Sequence, residues 1–415
     1  MEFELKPVTE PGRRLVALAE EHAEDFATRA DQHDRENSFP FENIEAMQKS
    51  GLMAAIVPEE LGGLGVESVH DIALAMGRLG RGDGSTAIAT NMHMFAGWMA
   101  TRGWKRARAS NDTRVAGMNE AMLRQIGAGN MVTCILATEP GTDLRHPLTE
   151  ATRDGDGWVL NGHKIFGTLS PVANLLFVTT RVSNGSGGYH SSMAAVPRGT
   201  AGMEIKENWD ALGMRGSGSH DVVFDNCLIP AGSLLGRGTW GGWTEQNLET
   251  GAFGNLGLVT AFLGIAEAAR DIIVEMVKTR KKATSNRTQA ELLVVQQAVG
   301  EMEVDLAACR AMVDRTGLVA DAYCQDHLFS RETLDELHQL NKDAQCTKWF
   351  VNRKAIEIVD RALTLSGGSG YLTKSPLSRM YRDVRAGPFM QPLSPNEAFE
   401  YIGKVTLGLD PEIDG

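Results

Sequence analysis

The chain has 415 residues, 42% hydrophobic and 23% charged, close to globular averages, so neither a disordered nor a fibrous repeat protein fits. With 41 basic against 53 acidic residues the net charge is -12, and the one dense basic run is Lys278 to Lys282, which argues against a duplex nucleic-acid partner. No apolar run reaches the roughly 18 residues of a membrane helix and the N-terminus lacks signal-peptide regions, so a cytoplasmic protein of two or three domains with no membrane partner is expected.

Residues 1–131 read as a helical domain. Leu15, Leu18, Ala19, His22, Ala23 and Phe26 recur at three and four, one buried helix face, and Pro58 to Gly65 is a glycine-rich loop between helices. After Gly127 the texture changes to short β-branched and aromatic runs separated by turn dipeptides, giving a β-domain over 132–242. Asp154 to Gly157 predicts one turn, and Asn161-Gly162, between two apolar runs, predicts a hairpin. Strands are expected over Leu175–Val182, Ser192–Val196 and Val222–Ile229, as a compact antiparallel barrel or sandwich.

From 243 to 415 the helical period returns, first through Leu256, Val259 and Leu263, then through Leu292, Val295, Val299 and Met302, implying at least two long helices. A last helix is expected near Ser394, which precedes Pro395 and an acidic first turn. Cys134, Cys227, Cys309, Cys324 and Cys346 are scattered outside metal-ligand spacing and read as reduced packing residues, so no metal is expected.

Gly51–Gly65 (GLMAAIVPEELGGLG), Ala137–Gly141 (ATEPG), Gly157–Thr168 (GWVLNGHKIFGT) and Gly213–Val222 (GMRGSGSHDV), followed by Gly367–Tyr371 (GGSGY) and Arg382-Asp383, together resemble the acyl-CoA dehydrogenase superfamily over nearly the whole chain. The resemblance implies a mainly α fold with a central β-domain: an N-terminal helical domain, a middle β-barrel or sandwich and a C-terminal four-helix-bundle domain, with a flavin where they meet. It implies that Thr138, Glu139, Pro140 and Gly141 form the loop at the flavin pyrimidine edge, that Phe166 stands where the family usually has tryptophan, and that Thr168 lies beside N5. Gly367, Gly368 and Gly370 would form the loop that reaches a neighbouring subunit's cofactor in a homotetramer. Arg280 would meet the cofactor phosphates, although Ala283 and Thr284 replace the usual phenylalanine and glycine after it, leaving both FAD and FMN open. A plain turn, hydrophobic packing and a solvated helix end are the competing expectations for the Thr138 loop, Phe166 and Arg280.

Abstracting the α-proton of an acyl thioester needs a carboxylate. Gln391 stands where most of the family has that glutamate, Gly254 stands where another branch has it, and Gly141-Thr-Asp-Leu-Arg lacks the serine common near the thioester. These departures resemble the superfamily's reduced-flavin monooxygenases. A two-component monooxygenase is therefore expected, in which a flavin reductase supplies reduced flavin and O2 oxidises a small aromatic, amine or sulfur compound. His93 is the candidate for proton exchange, its near-neutral pKa suiting the role, with packing among Met92, Met94 and Phe95 as the alternative; His146 and His220 are weaker choices. An acyl-CoA dehydrogenase using Glu249 or Asp143, and a flavin-binding protein without catalysis, are the other two readings.

Overall fold

The structure, a computed structural model, describes residues 4–281, 286–327 and 333–413; Ala283 and Thr284 lie outside the described residues. Its N-terminal part holds α1 (Glu10–Ala27), α2 (Ala30–Glu36), α3 (Phe41–Ser50), α4 (Val69–Gly82), α5 (Gly84–Ala109) and α6 (Thr113–Gly127). Thr9 caps α1 by accepting from Gly12 N at 3.0 Å, and Leu15, Ala19, His22, Ala23 and Phe26 form its buried face. Asp83 caps α5, its carboxylate accepting from Ser85 N at 3.0 Å. α5 is buried on most sides along its first five turns, as a helix at the centre of the molecule must be.

β1 (Thr133–Leu136), β2 (Glu150–Asp154), β3 (Gly157–Gly167), β4 (Leu175–Ser183), β5 (Tyr189–Pro197), β6 (Met203–Ile205), β7 (His220–Pro230) and β8 (Leu234–Thr239) form one sheet in the order β6-β7-β3-β2-β4-β5-β8, with β1 beside β4. The expected antiparallel domain carries two parallel pairings, β1 with β4 and β2 with β4. The loop from 137 to 149 and the β2–β3 hairpin supply the crossover that such a pair needs.

Asn161-Gly162 does not turn the chain. β3 runs straight through it, Asn161 opposite Glu150 and Gly162 opposite Phe224. The ladder with β7 shifts register here, and Asn161 Oδ1 accepts from Asn226 N at 2.8 Å. The dipeptide therefore marks a β-bulge, and the hairpin turn is Gly155-Asp156 between β2 and β3.

The C-terminal part comprises α7 (Glu245–Glu249), a π-helical turn over Thr250–Gly254, α8 (Leu256–Thr279), α9 (Leu293–Asp326), α10 (Leu334–Ser366), α11 (Pro376–Asp383) and α12 (Pro395–Leu407). α8, α9 and α10 pack on one another and α12 lies against α10, a four-helix bundle. Ser394 caps α12 ahead of Pro395, and Glu397 accepts from Ser394 N at 2.6 Å. α4 crosses α8 at near backbone contact: a Cβ on Gly264 would lie 2.0 Å from Gly77 O, and one on Gly80 2.4 Å from Ala261 O. No side chain fits between the two helices, so the N-terminal domain and the bundle share one core, which continues into the sheet.

Candidate active-site cleft

A cleft of about 450 Å3 opens where the three parts meet. Ile88, Met92 and Phe95 of α5 and Leu258 of α8 form an apolar wall. Thr138, Phe166, Thr168, Ser217 and Ser219 face it from the β-domain, and the segment from Arg382 to Pro392 contributes Arg385, Phe389 and Gln391. The π-helical turn presents Thr250 and Gly254 to the same space. Such turns recur at functional sites because the extra residue re-aims side chains.

The Thr138 loop is held from beneath. Glu139 is buried, its carboxylate pointing away from the cleft to accept from Leu148 N, from Thr149 N and Oγ1 at 2.9 and 2.6 Å, and from the Lys164 ammonium. Lys164 also donates to Thr179 Oγ1 at 2.8 Å. Burial alone would raise the Glu139 pKa, but the Lys164 charge and these hydrogen bonds hold it below the usual range, while burial pulls Lys164 down to about 8. Both groups remain ionised at neutral pH. Glu139 thus positions Thr138 and does not line the cleft. Pro140 and Gly141 are exposed at the loop's outer side, Gly141 with φ +72°.

Just after this anchor β3 contorts. Its ladder with β7 shifts between Lys164 and Gly167, Phe166 takes φ +55°, and Thr168 N donates to Phe166 O at 2.8 Å. A left-handed conformation in an aromatic residue is costly and clusters at functional sites. Here it turns the Phe166 ring outward, 55% exposed, to meet Trp209 edge-on at 6.0 Å. Trp209 is fixed in turn by its indole N–H to Met214 O at 3.0 Å and by its backbone N–H to His220 Nδ1 at 2.9 Å, so His220 orients the strand and the aromatic pair.

Thr168 Oγ1 lies 2.7 Å from Ser219 Oγ, which lies 2.7 Å from Ser217 Oγ. This hydroxyl chain on the cleft wall fixes the Thr168 rotamer. Thr168→Ala is expected to remove about 1 kcal/mol of hydrogen bonding and to raise the peroxide-to-product ratio in turnover with reduced flavin. An unchanged ratio in a peroxidase-coupled assay would count against a role for Thr168 at the reacting end of the cleft.

His93 is placed elsewhere. It is fully buried, with Nε2 2.9 Å from Met53 O and Nδ1 3.1 Å from both Thr133 N and Thr133 Oγ1. Because Thr133 N–H must donate to Nδ1, the proton sits on Nε2 and the ring is neutral. Burial pushes its pKa to about 4. Both nitrogens are engaged with the protein, so the ring holds α5 to β1 and has no free atom for proton exchange.

The proposed carboxylates are engaged too. Glu249 accepts from Arg106 Nη2 and Tyr323 Oη, both at 3.2 Å. Asp143 accepts from Arg145 N at 2.7 Å and meets His146 Nδ1 at 2.9 Å, and His146 is further held edge-on to Trp240. A Cβ on Gly254 would lie 2.7 Å from Phe95 Cζ, so Phe95 fills the space that a side chain there would need. Among the described residues, those around the main cleft include no Asp, Glu, His, Lys, Cys or Tyr. Gln391 lines it as a neutral amide.

Arg280 and the glycine loop come together at a different place. Arg280 donates to Ser366 O at 2.9 Å and Ser369 Oγ at 3.0 Å. Gly367 and Gly368 are exposed, and a Cβ on Gly370 would collide with Ser366 Oγ at 1.9 Å. None of these four residues lines the main cleft. Sequence reasoning missed Phe95, Trp209 and Arg385, and passed over the two serines, although Ser217 and Ser219 alternate in the motif that precedes β7. Among the described residues there is no metal-ligand cluster, and no helix is long and apolar enough to cross a membrane.

Profiles of the acyl-CoA dehydrogenase N-terminal, middle and C-terminal domains match residues 9–108, 134–227 and 256–391. The chain is 34% identical to the amino sugar nitrososynthase DnmZ of Streptomyces peucetius, over 97% of this chain and 95% of that protein. It is 35% identical to the L-evernosamine nitrososynthase of a Micromonospora species, over 98% and 93%. KijD3, solved in complex with FMN and dTDP-3-amino-2,3,6-trideoxy-4-keto-3-methyl-D-glucose, superposes with a TM-score of 0.90 at 33% identity, covering 98% of this chain and 96% of that one.

Proposed function

The chain belongs to the acyl-CoA dehydrogenase family and is a flavin-dependent oxidoreductase, and from that premise we propose that it is a reduced-flavin monooxygenase that oxidises the amine of a nucleotide-linked amino sugar. The observation that carries this reading is a cleft of about 450 Å3 lined, among the described residues, by none able to take an α-proton. A dehydrogenase needs that proton acceptor in contact with substrate; a monooxygenase does not.

The residues fit a flavin. Thr138 and Thr168 offer donors on the sheet side, Ile88, Met92 and Leu258 an apolar wall on the other, and the exposed Arg385, with no acceptor among the described residues, a cation for a phosphate. FMN is favoured because the similar KijD3 was solved with it. When bound, the reduced cofactor supplies two electrons to O2. The first oxidation consumes amine, O2, two electrons and two protons and gives hydroxylamine and water. A second with the same co-reactants gives the nitroso group and two waters. The chain's own part is to hold the amine against the Thr168 end and to keep water out with Ile88, Met92, Phe95 and Leu258. A separate flavin reductase, a cytoplasmic location and a homotetramer, in which the Arg280-braced glycine loop meets a neighbour, belong to the same reading. The test is to supply FMN, a reductase, NADH and O2 with a dTDP-amino sugar. Hydroxylamino and nitroso sugars should appear by mass spectrometry, and their absence with every amino sugar tried would sink the proposal.

The dehydrogenase alternative makes a different demand at Gln391. A restored general base contributes about 100-fold to 10,000-fold, so if a thioester were bound, Gln391→Glu should oxidise acyl-CoA. We expect no anaerobic flavin reduction by acyl-CoA in either form. Rapid bleaching of the unmodified protein would establish the dehydrogenase.

A further inference from the structure

A second cavity, of about 100 Å3, adjoins the main cleft and shares Phe95, Ile135, Ala137, Leu144, Thr250 and Pro392 with it. Its other residues include Arg237, Asn247, Asn341 and Trp243. Arg237 lies on β8, the edge strand, between two glycines. Gly236 pairs with Ser192 and Gly238 with Ser191, so Arg237 is the extra residue of a β-bulge. Bulges re-aim a side chain, and this one directs a guanidinium into the annex.

That guanidinium has no acceptor within hydrogen-bond or ion-pair distance among the described residues, and burial with no opposing charge pulls its pKa to about 10. The other charges of the cavity are accounted for. Arg145 is paired with Glu412 at 2.6 Å and lies over the Trp243 ring, Asp143 is held by His146, and Glu397 caps α12. Arg237 is half-buried, and a cation without a partner that lines such a cavity favours an anionic ligand.

The geometry points to an anion subsite in the annex, built on Arg237, that takes the diphosphate of a nucleoside-diphosphate-linked substrate while its sugar lies in the main cleft. The planar fork of arginine suits paired phosphate oxygens, and the shared wall lets one ligand occupy both spaces. This inference rests on the amino-sugar-nucleotide reading for the identity of the substrate.

The test is calorimetric titration of the FMN-loaded protein with inorganic diphosphate and with dTDP. Both should bind. Arg237→Met should weaken dTDP by about 10-fold to 100-fold, Arg237→Lys should recover part of the loss, and FMN affinity should stay the same in all three proteins. Absence of binding to the unmodified protein, or dTDP binding by Arg237→Met within twofold of it, would overturn the subsite. Coenzyme A carries the same diphosphate and serves as the control: if it bound more tightly than dTDP, the nucleotide-sugar assignment of the subsite would fall. The two readings fail separately. Arg237-dependent dTDP binding without oxidation of any amino sugar leaves the subsite and removes the proposed reaction. Oxidation of a dTDP-amino sugar with an unchanged KM in Arg237→Met leaves the reaction and removes the subsite.

Discussion

Replacing Lys164 by methionine is expected to cost about 3 to 5 kcal/mol of folding stability, the usual consequence of removing one partner from a buried ion pair, and to weaken flavin binding with it. Lys164 and Glu139 have side chains 0% and 2% exposed. Once the ammonium is gone, the Glu139 carboxylate keeps only Leu148 N and the Thr149 donors. Glu139 lies between Thr138 and Pro140, so any shift that lets water reach the carboxylate also moves the loop that carries Thr138. Adding Glu139→Gln removes the orphaned charge and should recover a large part of the loss. Urea denaturation measures the stability and fluorescence titration with FMN the binding. A loss under about 1 kcal/mol would mean that water already screens the pair, and intact FMN affinity in a destabilised Lys164→Met would separate the loop from the cofactor.

Much of the fold was legible because its signals are local. The spacing on α1, the proline-led start of α12 and the turn dipeptide before β3 each depend on residues within a few positions. Where the reading failed, the deciding partner was remote. Asn161-Gly162 has the composition of a tight turn, but the fit of Gly162 against Thr149 and the bond from Asn226 N to Asn161 Oδ1 make it a bulge in a continuous strand. Gln391 and Gly254 were found as missing carboxylates from the motifs, whereas the exclusion of any side chain at Gly254 rests on Phe95, well over a hundred residues earlier in the chain. Arg237 carried a signal that was passed over: a lone arginine flanked by glycines in an edge strand has little packing value, and such glycines mark bulges.

His93 supplies the second large effect, because its neutrality is a condition of folding. The unfolded ring takes its proton near pH 6.5, whereas the folded ring takes it at about 4. Between these values the unfolded chain binds one more proton than the native one, so stability falls as pH drops through this window and the loss is complete below about pH 4. A gap of this size is worth about 3 kcal/mol. His93→Gln can keep both contacts, its amide N–H donating to Met53 O and its carbonyl accepting from Thr133 N, without titrating. It should flatten the pH dependence of urea stability between pH 6.5 and 4 by about one proton relative to the parent. Parallel curves for the two proteins would show that some other group governs acid stability. The same variant tests the assignment of His93 to packing: at neutral pH, with flavin bound, His93→Gln should keep turnover within a few-fold of the parent. A loss on the order of 100-fold, the low end for a general acid or base, would return this histidine to the chemistry.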